Sequence, residues 1–436
     1  MGKLISNNKI LIILFIIGFI LRLYLSSLGF GEVIYDTASY HRMAREILHG
    51  KLTADCCDHN PGYSVFLAGV YGLFGSENIL ALRIVQVLLD LITGVLIYLT
   101  AKSLFGVRTA TFGLGLYMIN PFTSSYTGLR LSEILALFLV SVIAFFLSRK
   151  DYSNNVKWWM PTGVALGLFL LVKQSTQFLI YIFLFSCSIL VFKKMKRFFL
   201  YFVIIGFLIG STYSLLSNWH NFRKISVVPP YSVNQGILYW NFYNDRYPEL
   251  LSELDKVNPV FWDLQLELHR TYYTNIPEYR KKYFNLFLQK MRSDWPVYIR
   301  NITRNMTWIW DKNHLAYYTD PFYPQDSRPL QIINFLSLAL SFFGLGVYIL
   351  REKLNAVRNP LFLFTIIIYL TITFVFTLAS NETRHSLFAY SLVYLWAGFG
   401  VDWVIHGCGS IIYKNLFRAH SKITLTFWIR HKGPQS

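Results

Sequence analysis

Apolar runs of membrane length recur along this sequence from one end to the other. A run of about 20 apolar residues crosses a bilayer as a helix, because each backbone N–H and C=O must be satisfied inside the segment. Ten spans are read, near residues 10–28, 79–101, 109–126, 131–148, 157–173, 175–192, 198–217, 330–350, 361–380 and 385–406. The 157–192 stretch fits either a hairpin or a broken helix. Only 15% of the 436 residues are charged, against roughly a quarter in a soluble domain. The expected fold class is therefore an all-α polytopic membrane protein with about ten transmembrane helices. Lys3 and Lys9 precede the first run, as they would in a signal peptide. That run continues past Arg22 with no small-residue cleavage site, so it reads as an uncleaved anchor.

The short loops on one side of these spans are basic: Lys102 and Arg108, Arg149 and Lys150, the 193–197 cluster, Arg351, Lys353 and Arg358, and the tail from Lys414 to Lys432. The positive-inside rule places that side in the cytoplasm, together with both termini. Residues 29–78 and 218–329 then face outward. Four segments follow: an N-terminal transmembrane module 1–217 with the first outer loop 29–78, an outer loop or lid 218–329, transmembrane helices 330–410 and a basic cytoplasmic tail 411–436. The net charge of +18 is accounted for by anionic lipid and solvated faces, and no nucleic-acid or nucleotide-phosphate motif accompanies it.

Asp36 follows the first span by a few residues, so it lies where that span leaves the membrane. Residues 37–50 have a helical apolar period (Tyr40, Met43, Ala44, Ile47, Leu48) and end at Gly50. The pattern predicts an amphipathic helix lying flat on the outer membrane surface, capped by Asp36 or Thr37. Downstream, Asp55-Cys56-Cys57-Asp58-His59 offers divalent-metal donors, but the spacing matches no closed zinc site; a polar loop closed by the Pro61-Gly62 turn explains it equally. The four cysteines imply no disulfide framework.

Charges at membrane depth are costly and mark functional candidates. Arg83, Gln86 and Asp90 share one face of the second span, which suits an Arg83–Asp90 network. Glu133 opens the fourth span with Arg130 one turn earlier to neutralise it. Lys173 ends the fifth, and Arg384 enters the last. Asp36, His59, Arg83, Arg130, Glu133, Lys173 and Arg384 are all expected at the outer boundary. Acids and bases at that level suit a substrate with a phosphate at the interface and a lipid tail in the bilayer.

In order along the chain stand Tyr35-Asp36-Thr37-Ala38-Ser39-Tyr40, Asn60-Pro61-Gly62-Tyr63 with Phe66-Leu67, and Arg83-Ile84-Val85-Gln86. Then come Leu104-Phe105-Gly106-Val107-Arg108, Asn120-Pro121, Ser132-Glu133 and Asn381-Glu382-Thr383-Arg384-His385. These stretches resemble the GT-C superfamily of polyprenyl-phosphate-dependent glycosyltransferases, in the branch of protein O-mannosyltransferases and aminoarabinose transferases. The resemblance covers the first 180 residues best and returns at the last span. It implies an inverting hexosyl- or pentosyltransferase of the cell envelope, using a donor of the dolichyl-phosphate-mannose kind and a lipid, glycan or protein acceptor. It places Asp36 as the base, with Glu133 orienting the acceptor or Arg130. It assigns Lys173 and Arg384, then Arg83, to the donor phosphate. Thr37 stands where many relatives carry a second acid, His59 where a basic residue often precedes the Pro-Gly-Tyr turn, Ser64 for a second Pro, and Arg384-His385 for Arg-Tyr. Two other classes share the topology: a transporter or flippase of lipid-linked sugars, and a surface-polysaccharide polymerase. The transporter should show inverted repeats with midplane charges, and no repeat is visible here.

Residues 277–292 predict a helix with Tyr283, Phe284, Phe287 and Met291 in an apolar stripe, interrupted downstream by Pro296. This fits either a lid that shapes acceptor choice or a packed cap. Asn301, Asn305 and Asn381 begin glycosylation sequons.

Overall fold

The computed structural model describes residues 2–28, 35–54, 59–76, 78–149, 156–190, 198–229, 238–239, 241–242, 276–313, 315, 327–379 and 383–407. Every regular element among them is a helix. The chain runs α1 (Gly2–Leu28), α2 (Tyr35–Leu48), α3 (Gly62–Phe74), α4 (Ile79–Leu104), α5 (Val107–Met118), α6 (Pro121–Tyr126), α7 (Glu133–Leu147), α8 (Trp159–Val172), α9 (Gln177–Leu190), α10 (Phe198–Gly210) and α11 (Thr212–Phe222). After the outer segment come α12 (Ile276–Trp308), α13 (Arg328–Glu352), α14 (Pro360–Leu370) and α15 (Tyr390–Asp402).

Among the described residues, four helices are long and apolar enough to cross a membrane: Lys9–Leu28, Ile79–Leu104, Arg328–Arg358 and Thr383–His406. Leu200–Gly210 and Thr212–Phe222 form a fifth, bent by 53°. The other apolar helices are shorter. The 109–126 run is broken into α5 and α6 by Asn120, whose Oδ1 accepts from the Phe122 N–H at 2.8 Å while Pro121 opens the new helix; this is a cap followed by Pro at the first helical position. The stretch from Trp159 to Leu190 is interrupted at Lys173. Lys173 leaves α8 in extended conformation, and a single 3₁₀ turn, Gln174–Thr176, precedes α9.

The last helix forms the centre of the bundle. Residues 390–400 are all buried, because α15 is apolar on every side and packs between α13 and α5. By contrast α1 turns Ile12, Ile13, Ile16 and Ile20 outward, as a lipid-facing helix does. α4 lies against α5 and α7, and α8 lies along α10.

In the first outer loop the expectations need two corrections. Helix α2 starts at Tyr35, so Asp36 lies inside its first turn rather than capping it. Much of its apolar face meets protein: Tyr40, Met43 and Ala44 are buried against α3, an apolar helix within the stretch expected to be a hydrophilic loop, while Leu48 stays exposed. Gly50 ends α2 as expected. It adopts φ 79°, and its N–H bonds the Ile47 carbonyl at 2.9 Å, the left-handed close that glycine makes at little cost.

In the outer segment, α12 runs through Pro296 and kinks at Asp294 (φ −125°, ψ 24°), since proline removes a backbone donor and displaces the preceding turn. Phe287 and Met291 pack with Phe242, Tyr298 and Ile302, whereas Phe284 is exposed. Two of the sequons are closed: Asn301 donates its amide to the Asn241 and Phe242 carbonyls at 3.0 and 3.1 Å, and Asn305 is fully buried. Asn381, Cys56, Cys57, Cys408, Asp55, Asp58 and the tail 411–436 lie outside the described residues.

Candidate functional site

Four breaks in regular structure meet at one place. The first is the start of α2, which carries Asp36. The second is the turn 59–62. Asn60 donates its side-chain amide to the Leu170 carbonyl, and any side chain at Gly62 would strike the Leu171 carbonyl. Glycine at that position lets the turn dock flush on the end of α8, next to Lys173. The third is the start of α7 at Glu133, where a carboxylate meets the positive end of the helix dipole. The fourth is the 3₁₀ helix Thr383–Ala389 that opens the last span and carries Arg384.

Arg384 donates from Nη2 to Asp36 Oδ2 at 2.6 Å. Its Nη1 lies 4.0 Å from Glu133 Oε1, which accepts from Lys173 Nζ at 2.8 Å. On the other side of Asp36, His59 Nε2 is 3.3 Å from Oδ1. Asp36, His59, Glu133, Lys173 and Arg384 therefore form one connected chain of alternating charge, drawn from segments as far as 348 residues apart. Tyr40 supports it, with its ring edge-on to both His59 and Tyr63 and its hydroxyl 3.5 Å from Ser132 Oγ. Asp36 and His59 remain partly open to solvent, with side chains 24% and 15% exposed, whereas Lys173, Glu133 and Arg384 are buried.

Burial opposes ionisation of Asp36. The Arg384 guanidinium and the His59 ring outweigh it and hold the carboxyl well below the usual carboxylate range. Glu133 has a second oxygen, Oε2, that is buried and accepts no hydrogen bond. Such an orphaned acceptor costs free energy until a donor reaches it.

The remaining sequence candidates fall beside this chain. Tyr63 donates to Gln86 Oε1 at 2.9 Å, and the Gln86 amide donates to the Thr127 and Leu129 carbonyls at 3.0 and 2.8 Å. Asp90 pairs with Arg22 rather than with Arg83. Glu133 is neutralised by Lys173, not by Arg130. Among the described residues no three His, Cys, Asp or Glu side chains group as metal ligands; His59 is spent on Asp36, and the other loop donors lie outside the described residues.

Two buried clusters escaped the sequence reading. Asp90 pairs with Arg22 of α1 at 2.5 Å and accepts the Tyr117 hydroxyl, all three side chains being fully enclosed. Arg22 also donates to the Gly18 and Met118 carbonyls at 3.0 Å and to the Tyr117 carbonyl at 3.3 Å. The available signal was a lone arginine inside an apolar run. The second cluster centres on Lys312, buried between α12 and α13. Two tryptophans ahead of an Asp-Lys pair were its only mark in the sequence.

Comparison with known proteins bears on the fold. Residues 58–216 match the dolichyl-phosphate-mannose-protein mannosyltransferase family. No curated protein sequence matches the chain. Among solved structures, the apo oligosaccharyltransferase of Archaeoglobus fulgidus is similar at 15% identity with a TM-score of 0.53, over 95% of this chain and 52% of that one. The oligosaccharyltransferase AglB of the same organism, in complex with an inhibitory peptide and a dolichol-phosphate, is similar at 14% identity with a TM-score of 0.52, over 98% of this chain and 54% of that one. ArnT of Cupriavidus metallidurans bound to undecaprenyl phosphate aligns at 15% identity with a TM-score of 0.39, over 92% of this chain and 76% of that one. The chain spans about half the length of the oligosaccharyltransferases it matches. This all-helical chain, with apolar helices long enough to cross a membrane, is thus similar in fold to these oligosaccharyltransferases.

Proposed function

We propose that this protein is an inverting membrane glycosyltransferase that moves a sugar from a polyprenyl-phosphate donor to an acceptor hydroxyl outside the cytoplasm. The observation that carries the proposal is the charge chain Asp36, Arg384, Glu133, Lys173 and His59, assembled at the ends of apolar helices. The fold class and the mannosyltransferase match over residues 58–216 support it.

The chemistry runs as follows. The acceptor oxygen forms a bond to the anomeric carbon from the face opposite the lipid phosphate. The bond from that carbon to the phosphate oxygen breaks, and its electron pair departs with the phosphate. Asp36 takes the hydroxyl proton and later returns it to water. The products are a glycosylated acceptor and a free polyprenyl phosphate. A carboxylate held below its usual range is a weak base, so it accepts the proton late, once the new bond has acidified the hydroxyl. Most of the acceleration then falls to Lys173 and Arg384, whose positive charges oppose the negative charge growing on the phosphate. In this reading Arg83 and Arg130 extend that field. Glu133 Oε2 offers an acceptor to a sugar or acceptor hydroxyl. In this reading, by the positive-inside rule, the chemistry takes place on the outer side of the plasma membrane, with both termini inside.

The deciding assay uses purified protein in nanodiscs with a panel of polyprenyl-phosphate hexoses and pentoses, comparing wild type with Asp36→Asn. Transfer by wild type alone is the expected result. Equal transfer by both rejects the base assignment. If no donor is consumed but lipid-linked sugar crosses liposomes, the protein is a transporter.

A further inference from the structure

Residues Ile309 to Asn313 join α12 to the region before α13. All five are buried, and none belongs to a helix. A buried segment without regular structure must satisfy its polar groups by other means, and here they are tied to the transmembrane helices. Asn334 donates to the Trp310 carbonyl at 2.8 Å, and the Trp310 indole donates to Thr373 Oγ1 at 2.9 Å. Gln331 donates to Asp311 Oδ2 at 2.7 Å.

Lys312 points inward from this segment. Its ammonium donates to the Ile309 carbonyl at 3.2 Å, to Ser386 Oγ at 2.6 Å and to the Thr383 carbonyl. All three donors of the group are thereby used. The Tyr390 ring lies 5.4 Å away. Two of the three acceptors sit in the 3₁₀ helix that carries Arg384, and the Thr383 carbonyl belongs to the peptide unit directly before Arg384. Among the described residues no carboxylate lies within ion-pairing distance of Nζ. Burial accordingly pushes the amine down to about 7, against a weaker upward pull from Asp311. A neutral donor would fill the space without that desolvation cost, but it would not bridge three converging acceptors.

We propose that Lys312 is a positioning residue for Arg384: it pins the turn before Arg384 to the end of the outer segment, and so sets the guanidinium against Asp36 and Glu133. The inference rests on the proposed role of Arg384. It also goes beyond that role, because it makes the 309–313 segment the physical link between the outer segment and the site. Whatever moves α12 reaches Arg384 through Lys312 and through the Ser386 hydroxyl, which donates to the Ile309 carbonyl at 2.6 Å.

A double-mutant cycle tests this in the full-length protein in nanodiscs, with the same panel of donors. Lys312→Met is expected to lower the transfer rate at least about tenfold. In an Arg384→Ala background the same change should cost less than about twofold, because residues acting through one group are not additive. Equal losses in both backgrounds would overturn the proposal. A second readout needs no turnover, and so stands apart from the transferase assignment. Phenylglyoxal modification of Arg384, mapped by peptide mass spectrometry, should speed up at least about threefold in Lys312→Met while that of the equally buried Arg130 stays constant. Unchanged Arg384 reactivity rejects the link. If both arginines become reactive, the fold has loosened, and Lys312→Gln then decides by the same two measurements, since it keeps a polar side chain of similar bulk that cannot bridge all three acceptors.

Discussion

Two of the acid–base clusters among the described residues differ in what surrounds them. Arg22, Asp90 and Tyr117 lie on three regular helices, α1, α4 and α5, with no solvent access. Every strong donor of Arg22 is committed to a carboxylate or a carbonyl. Asp36, His59, Glu133, Lys173 and Arg384 use the same pairings, but each sits where a helix starts or breaks. That cluster keeps a partly open carboxylate at one end and an orphaned oxygen on Glu133. A sealed, saturated pair can only hold helices together. An exposed and unsaturated one has room and unfilled valence for a ligand. The distinction between structural and chemical charge thus lies in saturation and access rather than in residue type.

The contrast can be broken most decisively by Asp36→Asn, which should cut transfer roughly 10²–10⁴-fold while lowering the temperature of detergent-induced aggregation only modestly, since Asp36 is partly open to solvent. Next in size, Arg22→Leu leaves Asp90 as an unpaired buried charge. It should destabilise the fold by about 3–5 kcal/mol, seen as loss of monodisperse protein on heating. Replacing both partners, Arg22→Leu with Asp90→Leu, should recover most of that loss and retain transfer, because no charge is left stranded. The equivalent double change at Asp36 and Arg384 should yield folded, inactive protein. If the Arg22–Asp90 double variant is folded but inactive, the sealed cluster is more than structural.

A smaller effect is expected of Glu133→Gln. It frees Lys173 from its carboxylate and should raise the donor KM by about tenfold or less, with folding intact. The smallest concerns pH. The folded-state value of Asp36 is depressed, so its contribution to stability is complete above the unfolded value of about 3.9 and fades only as pH falls through the lower folded value. Between pH 5 and 8, Asp36 should therefore stay ionised, and any titration of wild-type transfer there belongs to another group. A carboxylic-acid carbonyl band that appears in that window in wild type and is missing from Asp36→Asn, read by difference infrared spectroscopy, would contradict the ion pair with Arg384.

The sequence disclosed the site residues better than it disclosed their partners. Lys173, Glu133 and Arg384 stood out because a charge interrupting an apolar run is visible in one dimension. Pairing depends on which helices touch, and helical spacing alone misled. Arg83 and Asp90 share a face of α4, yet Asp90 is claimed by Arg22 from 68 residues away. The amphipathic period of α2 was legible, but its burial against α3 was not, since an apolar face reads the same whether it meets lipid or protein. Lys312 was hidden for the opposite reason, because a lysine in a polar outer segment looks ordinary until its neighbours are known.

The ion pair between Asp36 and Arg384 joins residues 348 positions apart, and that separation has a consequence in time. At about 5–20 residues per second of synthesis, roughly 20–70 s pass between the emergence of Asp36 and that of Arg384. During that interval Asp36 has no guanidinium beside it, and the centre of the bundle lacks α15. The nascent N-terminal helices must wait in the membrane with a half-made centre. Insertion of α15 then fills the centre of the bundle and brings Arg384 to Asp36 in a single event, so that the ion pair and the packed centre form together.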